Sequence, residues 1–452
     1  MMTRKILLPT DVEKIIATME DAGYEAFAVG GCIRDSILGR EPNDWDITTS
    51  ATPEQVKALF RRTIDTGIQH GTVTVMMHHI GYEVTTYRID GEYEDSRHPK
   101  EVTFTADLLE DLKRRDFTIN AMAYNYGAGL VDAFGGLQDL EKGIIRCVGD
   151  PMERFSEDAL RMMRAVRFSA QLGYAIDPAT KDAIRVLAPT LQKVSAERIQ
   201  VELTKLVTSP HPEYLEIAYE TGITKQVLPE FDLCMQTEQH NPHHCYGVGE
   251  HILRSMEAIP PDKVLRLAML LHDIGKPQTM VIDEDGISHN QGHSELGETM
   301  ARDILRRLRY DNDTITKVTR LIGVHDLRME PTGKAVRRAM NRIGAEYFPM
   351  LFQVWEADLA AQSDYCREMK LQRIREIQAL YQEIVARDEA VSLKDLAITG
   401  KDLIALGEKP GKGLGDILNR LLEAVLEHPE WNNRETLLEL YRSWKTKSDP
   451  AT

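Results

Sequence analysis

The chain has 452 residues, 42% hydrophobic, 28% charged and 6% aromatic, with a formal net charge of −16. At roughly 150 residues per domain this predicts about three domains, and no apolar run reaches the ~18 residues that cross a bilayer. The opening MMTRKILLPT lacks a secretory apolar run, and five cysteines without a Cys-x-x-Cys pair exclude a disulfide framework and a thiolate zinc site, so the expectation is a cytoplasmic protein with no membrane partner.

Residues 11–23 (DVEKIIATMEDAG) carry apolar residues at helical spacing and stop at a glycine. AFAVGG (26–31) is a short apolar run ended by Gly30-Gly31. VTVMM (73–77) and YEVTTYR (82–88) are β-rich and predict a hairpin turning through His78-His79-Ile80-Gly81. DGEYEDSRHPK (90–100) is polar and predicts a mobile loop. Beyond residue 150 strand signals thin out, and 153–173, 195–207 and 214–222 each predict a helix. Eight of the fourteen histidines fall in residues 240–330, which marks a compositional boundary. The rest is helical, with a polar turn cluster at Gly407–Gly415.

Three constellations carry chemistry. In the first, an apolar strand delivers Gly30-Gly31, a helix-like segment with Arg34 and Asp35 follows, and Asp44-Trp45-Asp46 comes next. Paired glycines let backbone N–H groups approach a phosphate. Two aspartates one residue apart on an extended segment point the same way, and such hard oxygens suit Mg²⁺. Glu83 is the best third carboxylate for placing a second ion.

In this order the residues resemble the nucleotidyltransferase superfamily, and the head is similar to the class II tRNA nucleotidyltransferases, the CCA-adding enzymes. The resemblance implies that Arg115, Asp116 and Asn120, in the run Arg114–Ala121, contact ribose and triphosphate. Asp132 with Phe134-Gly135-Gly136, and Arg198 with Glu202, match later blocks. The polar loop Asp90–Lys100 resembles one that implies completion through the terminal A.

The second constellation is EDALRMMRAVRF (157–168), where Glu157, Arg161 and Arg164 share a helical face and Asp158 lies beside Arg161. Unaided, this is a surface ion-pair stripe. The resemblance implies instead that Asp158 and Arg161 select the incoming base. Cytosine and adenine each present an acceptor beside a donor amine; arginine only donates and aspartate only accepts. Uracil and guanine present the reverse and would leave groups unmatched at ~1–3 kcal/mol each. Basic residues gather nearby, at Lys113–Arg115, Arg154, Arg161, Arg164, Arg167 and Arg198, and suit phosphate contact.

The third constellation is the histidine cluster: His251, the doublet His272-Asp273 at the end of the apolar run VLRLAMLL, His293 and His325. Histidine and aspartate without cysteine suit Mn, Fe, Ni, Zn or Mg. Gly275 reads as the stop of that helix. The segment resembles the HD superfamily of metal-dependent phosphohydrolases. That resemblance implies His251, His272, Asp273 and Asp358 as ligands, His293 and His325 as two further ones, and Lys276 as a phosphate contact.

Together these predict an α+β nucleotidyltransferase head with a small mixed sheet (1–150), then an elongated all-α neck binding nucleotide and RNA (151–235). An HD-type metal-binding body (236–365) and a helical tail that grips tRNA (366–452) complete the chain. The expected activity is template-independent addition of C, C and A to tRNA 3′ ends from CTP and ATP. Asp44, Asp46 and Glu83 are its catalytic set; Gly30, Gly31, Arg34, Arg115, Asp116, Asn120, Asp158, Arg161, Arg164 and Arg167 are its nucleotide contacts. Mg²⁺ is expected in the head and a divalent ion of undetermined kind in the body. Rival readings are a bacterial poly(A) polymerase, an A- or CC-adding enzyme, a metal phosphohydrolase with an RNA-binding head, and an RNA-binding scaffold.

Overall fold

The computed structural model describes residues 6–68, 71–91 and 102–448. The polar loop expected at 90–100 lies outside the described residues from position 92 on. The chain forms two compact units, divided between Asp232 and Leu233. Among the described residues no helix is long and apolar enough to cross a membrane.

The first unit opens with helix α1 (Thr10–Asp21), which buries Val12, Ile15, Ile16 and Met19 at helical spacing. A seven-stranded sheet follows: β1 (Ala26–Val29), β2 (Ile47–Thr49), β3 (Thr63–Gly67), β4 (Thr72–Met77), β5 (Ile80–Thr86), β6 (Ala123–Asn125) and β7 (Gly129–Val131). Their order is β3-β4-β5-β2-β1-β6-β7. Only β2 and β5 run parallel, so the sheet is mixed as expected. The β4–β5 hairpin is tighter than the sequence suggested. Its turn is His78-His79 alone, both at positive φ (47° and 69°), and Ile80 already pairs with Met77. A two-residue turn of this hand matches the twist of the flanking strands. Glu83 therefore sits mid-strand in β5, facing Thr74 across the pair.

Between β1 and α2 (Gly31–Ile37) stands Gly30, at φ 85° and ψ −131°. A Cβ there would come within 2.9 Å of the Arg115 guanidinium. The turn thus needs glycine both for its backbone angles and for the space above it.

The run 153–173 is two helices, not one. α3 (Pro151–Glu157) ends at Asp158, whose φ of −141° breaks the helix, and α4 (Leu160–Leu172) begins two residues later. The Asp158 carboxylate accepts from the Leu160 N–H at 3.1 Å. Aspartate favours such terminal positions, and periodicity does not register the cap. α5 (Ala196–Val207) packs against α4 and buries Ile199, Leu203 and Leu206.

The second unit is helical apart from the short strand pair Val281–Ile282 with Ser288–His289. Its helices include α6 (Val248–Ala258), α7 (Lys263–Leu271), α8 (His293–Arg307), α9 (Asn312–Val324), α10 (Phe348–Ala360) and α11 (Arg367–Ala386). α7 starts where Asp262 caps the Val264 and Leu265 N–H groups, and it buries every residue from Leu265 to Leu271. A further core holds Leu403, Leu421, Val425, Leu426 and Leu437. Gly413 and Gly415, expected in a turn cluster, lie inside the helix Lys412–Glu427.

Gly275 is glycine for a reason other than the one the sequence suggested. Its φ is −82°, which any residue adopts. A Cβ there would lie 2.5 Å from the His293 carbonyl oxygen and 3.0 Å from the Gly297 nitrogen. It lets the turn after α7 touch the start of α8. Gly275→Ala is expected to lower stability by roughly 2–3 kcal/mol through overpacking. An unchanged thermal midpoint would show that the contact is slack.

Candidate functional sites

In the first unit, β1 carries the chain to Gly30 and β2 returns beside it. The Val29 N–H donates to the Asp46 carbonyl at 3.0 Å, and the Gly30 N–H to the Met122 carbonyl at 3.1 Å. Asp46 therefore lies directly beside the glycine turn. Because Ile47 pairs with Val84 in the parallel β2–β5 register, Asp46 and Glu83 occupy matching positions on adjacent strands. Their charges interact. Burial raises the Asp46 carboxyl above its ordinary value, Arg115 opposes this, and Asp44 adds to it. Burial, Asp46 and Asp44 together raise Glu83. The three carboxylates predicted from sequence are thus neighbours, held by two strands and the segment leading into one of them. They are less tightly gathered than the histidines: among the described residues, only two groups, both in the second unit, bring three donor atoms within 4.8 Å. All-oxygen donors of this kind fit Mg²⁺.

The predicted nucleotide contacts form one polar network. Arg34 donates to the Asn120 side-chain oxygen at 2.7 Å and pairs with Asp35 at 2.9 Å. Arg115 rests over Gly30 and lies 3.6 Å from Asp111. Asp132 accepts from the Gly136 and Leu137 N–H groups and so fastens the Gly135-Gly136 turn. Asp116 is the hub. It accepts from the Phe117 N–H at 2.8 Å, from Asn120 Nδ2 at 3.2 Å and from Arg164 Nε at 2.8 Å. Burial works against its charge, but Arg164 and Asn120 outweigh that and hold it at about 2. Arg167 is buried, 3.9 Å over the Phe168 ring and 2.6 Å from Glu202. In this conformation it positions Glu202 rather than lining an open surface.

Asp158 and Arg161 lie where α3 and α4 meet the 113–116 segment, and the Arg161 N–H donates to the Asp158 carbonyl at 3.0 Å. Arg198 reaches Asp158 at 2.7 Å. Arg161 donates to Glu157 and to the carbonyls of Arg154 and Arg114, both at 3.1 Å. The helix breaks at Asp158, whose carboxylate meets Arg198 of α5 while the residue stays one turn from Arg161. The Asp116–Arg164 and Asp158–Arg198 pairs were not legible in the sequence; helical spacing reports neighbours along one helix, not partners across two.

In the second unit the structure brings all six predicted ligands together. Each histidine is fixed in the same way. His251 Nδ1 meets the Ala361 carbonyl (3.1 Å), His272 Nδ1 that of Met269 (2.8 Å), His293 Nδ1 that of Asn290 (2.7 Å), and His325 Nδ1 that of Ile322 (2.7 Å). A carbonyl only accepts, so each Nδ1 carries a proton and each Nε2 faces inward. The Nε2 atoms face one another in pairs, His251 with His272 and His293 with His325, both at 3.2 Å. Asp273 stands between the pairs. Its Oδ2 lies 3.5 and 3.3 Å from the first, its Oδ1 3.5 and 3.7 Å from the second. Asp358 Oδ1 closes the first pair at 2.9 Å from His251. Burial lowers His272, yet Asp273 and Asp358 outweigh it and raise the imidazole to about 10. A cation between the rings would replace that proton. Asp273 Oδ2 has no well-aligned hydrogen-bond donor although Lys276 Nζ is 2.7 Å away. Paired imidazoles around an under-satisfied buried carboxylate fit a divalent metal centre. Lys276, expected to contact phosphate, lines the cavity at this centre and is held between Asp273 and Gln239.

Residues 26–146 match the family model described as Poly A polymerase head domain. Residues 173–235 match the probable RNA and SrmB-binding site of polymerase A, and 293–441 the putative tRNA nucleotidyltransferase domain 2. The CCA-adding enzyme of Limosilactobacillus reuteri is 37% identical over 436 residues, covering 94% of each chain. That of Lactiplantibacillus plantarum is 38% identical over 429 residues, covering 95% of this chain and 94% of its own. The chain belongs to the CCA-adding enzyme family. The crystal structure of the Bacillus stearothermophilus CCA-adding enzyme in complex with CTP matches with a TM-score of 0.71 at 30% identity, over 98% of this chain and 100% of the other. The Thermotoga maritima CCA-adding enzyme complexed with tRNA shares the fold, with a TM-score of 0.58 at 19% identity. Membership makes this chain a nucleotidyltransferase with a mixed-sheet head and a helical remainder.

The network around Asp116 predicts a measurable stability term. Its carboxyl is held below the unfolded value, so the stabilisation is complete above about pH 4 and drains as pH falls toward 2, amounting to about 2 kcal/mol. Asp116→Ala leaves Arg164 without its main partner and is expected to cost about 3 kcal/mol in urea unfolding at pH 7. An unchanged midpoint would refute the hub role.

Proposed function

We propose that the chain adds C, C and A to tRNA 3′ ends from CTP and ATP, without a nucleic-acid template, in the cytoplasm. The observation that carries this reading is Asp46, which lies beside the Gly30 turn and beside Glu83 at once. Asp44 and Asp46 would hold Mg²⁺, with Glu83 assisting. Bound divalent ions would neutralise the triphosphate and favour the ionised form of the attacking hydroxyl. The tRNA 3′ oxygen attacks the α-phosphorus, and pyrophosphate leaves. Gly30 and Gly31 bring backbone close to the phosphates; Arg34, Arg115 and Asn120 orient triphosphate and ribose, with Asp116 and Arg164 fixing their places. Arg161 donates to the ring acceptor of cytosine or adenine, and Asp158 accepts from the amine. Residues 1–150 act as catalytic head, 151–235 as nucleotide- and RNA-binding neck, 236–365 as metal-binding body and 366–452 as tRNA-gripping tail.

Asp46→Ala should reduce nucleotide incorporation by about 10³-fold while tRNA binding persists. Arg161→Ala should lose roughly tenfold or more of the discrimination against UTP. Gel analysis of tRNA ending at the discriminator base, with CTP and ATP given separately and together, reads both. Long tails from ATP alone would favour a poly(A) polymerase instead. Arrest after two cytidines, or addition of A only to tRNA already ending in CC, would mark a partial activity.

The four inward Nε2 atoms favour a second reading beside the first: the second unit is an HD-type metal phosphohydrolase. His251, His272, Asp273 and Asp358 would hold one divalent ion. His293, His325 and the other Asp273 oxygen would hold a second. Whether the metal is Mn, Ni, Fe, Zn or Mg follows from loading, since the donor set accommodates several. Full-length Asp273→Ala should bind about two fewer Mn²⁺ equivalents than the parent, and His293→Ala about one fewer. Equal stoichiometry in all three would reject the centre.

A further inference from the structure

A cavity of ≈1010 Å³ opens beside the histidine centre. Its floor holds Asp273, His293, His325 and Asp358, and its outer wall comes from residues 326–329 and from α11. That wall carries the cations Lys370 and Arg328 alongside the acid Asp326. Lys370 donates to Gln362 Oε1 at 2.7 Å, and Gln362 Nε2 donates to Asp358 Oδ2 at 2.8 Å. The ammonium therefore stands one carboxamide away from a ligand carboxylate. Among the described residues its hydrogen-bond partner is this neutral amide. Arg328 lines the same cavity, is exposed, and makes no ion pair among the described residues. The neighbouring arginines differ: Arg367 pairs with Asp364 at 3.0 Å, and Arg373 with Glu330 at 2.8 Å.

Lys370 and Arg328 feel each other. Burial lowers the Lys370 ammonium, Asp358 opposes this, and Arg328 and Arg367 add to the lowering. His243, lowered first by burial, is lowered further by the same Lys370 and Arg328. Two cations that repel across a cavity wall are stabilised when an anion arrives between them. Trp355, Leu359, Ile374 and Ile377 add apolar lining to the same cavity. Met369, in the lining, is 67% exposed, and the lining His243 ring stands edge-on at 4.9 Å to Tyr365, which is 53% exposed. An exposed aromatic and thioether beside unpaired cations is a surface on which a nucleobase can rest.

We propose that Arg328 and Lys370 form a second anion subsite, so that this centre prefers a nucleotide carrying two phosphates over a simple phosphomonoester. One phosphate would be the terminal 2′ or 3′ phosphate placed at the histidines; the other would be the 5′ phosphate of the same residue, as at an RNA 3′ end. The inference rests on the phosphohydrolase reading of the second unit. In that reaction a water oxygen bonds to phosphorus, the bond from phosphorus to the sugar oxygen breaks, and the sugar oxygen takes up a proton.

The test uses the full-length chain loaded with Mn²⁺. Release of the 2′ or 3′ phosphate is measured from adenosine 2′- and 3′-monophosphates, from the matching 2′,5′- and 3′,5′-bisphosphates, and from p-nitrophenyl phosphate. The expected result is a KM about tenfold lower for a bisphosphate than for its monophosphate. In the double variant Arg328→Ala/Lys370→Ala that ratio falls to about one, while Lys370→Arg keeps it. Because each ratio is taken within one protein, partial misfolding does not mimic the result. Equal KM values in the parent, or a preference that survives in the double variant, would overturn the subsite and leave the hydrolase reading intact. Release from none of the five compounds would overturn the hydrolase reading, and the subsite with it.

Discussion

A single buried carboxylate organises the first unit. Asp116 receives a backbone N–H, the Asn120 amide and the Arg164 guanidinium. It thereby ties the 113–120 segment, which borders the glycine turn, to the helix that follows the break at Asp158. Remove that charge and Arg164, half-exposed and pressed toward Phe168 and Glu202, loses its main partner. Sheet and helices would still form from their own apolar faces. Their relative placement, on which any shared site within this unit depends, is held by this contact together with the Arg161 and Arg154 bonds to the Arg114 and Lys113 carbonyls and the Phe117–Phe168 ring contact.

The second unit solves a similar problem with backbone carbonyls. Four imidazoles close together would ordinarily sample both tautomers and several ring orientations. Here each has its Nδ1 anchored to a carbonyl, and three of those carbonyls, on Met269, Asn290 and Ile322, lie three residues earlier in the chain. Helix and turn geometry therefore fixes the rings before any cation arrives. Preorganisation of this kind keeps the reorganisation accompanying metal binding small.

Much of the chemistry was legible in the sequence because it depends on local order. A strand running into Gly30-Gly31, and Asp44 and Asp46 separated by one residue, are patterns of adjacent residues, and the structure places them together. The histidine cluster was legible for a different reason: four histidines and two aspartates concentrated in a stretch poor in strands stand out against the composition. What escaped depends on tertiary geometry. The break at Asp158 is a capping event inside an otherwise unbroken helical pattern, and its partner Arg198 is forty residues away. The place of Gly275 follows from how closely the start of α8 approaches, which periodicity does not encode. Gln362 and Lys370 carried no signal beyond lying four and twelve residues after Asp358.

The position of Asp158 bears on how such a protein can diverge. On the proposed reading this one side chain both fastens the start of a helix and recognises a nucleobase. A mutation that altered which base is accepted would, in the same stroke, loosen the architecture around it. Substrate preference is thereby shielded from evolutionary drift, because variants that misread would also be variants that fold poorly.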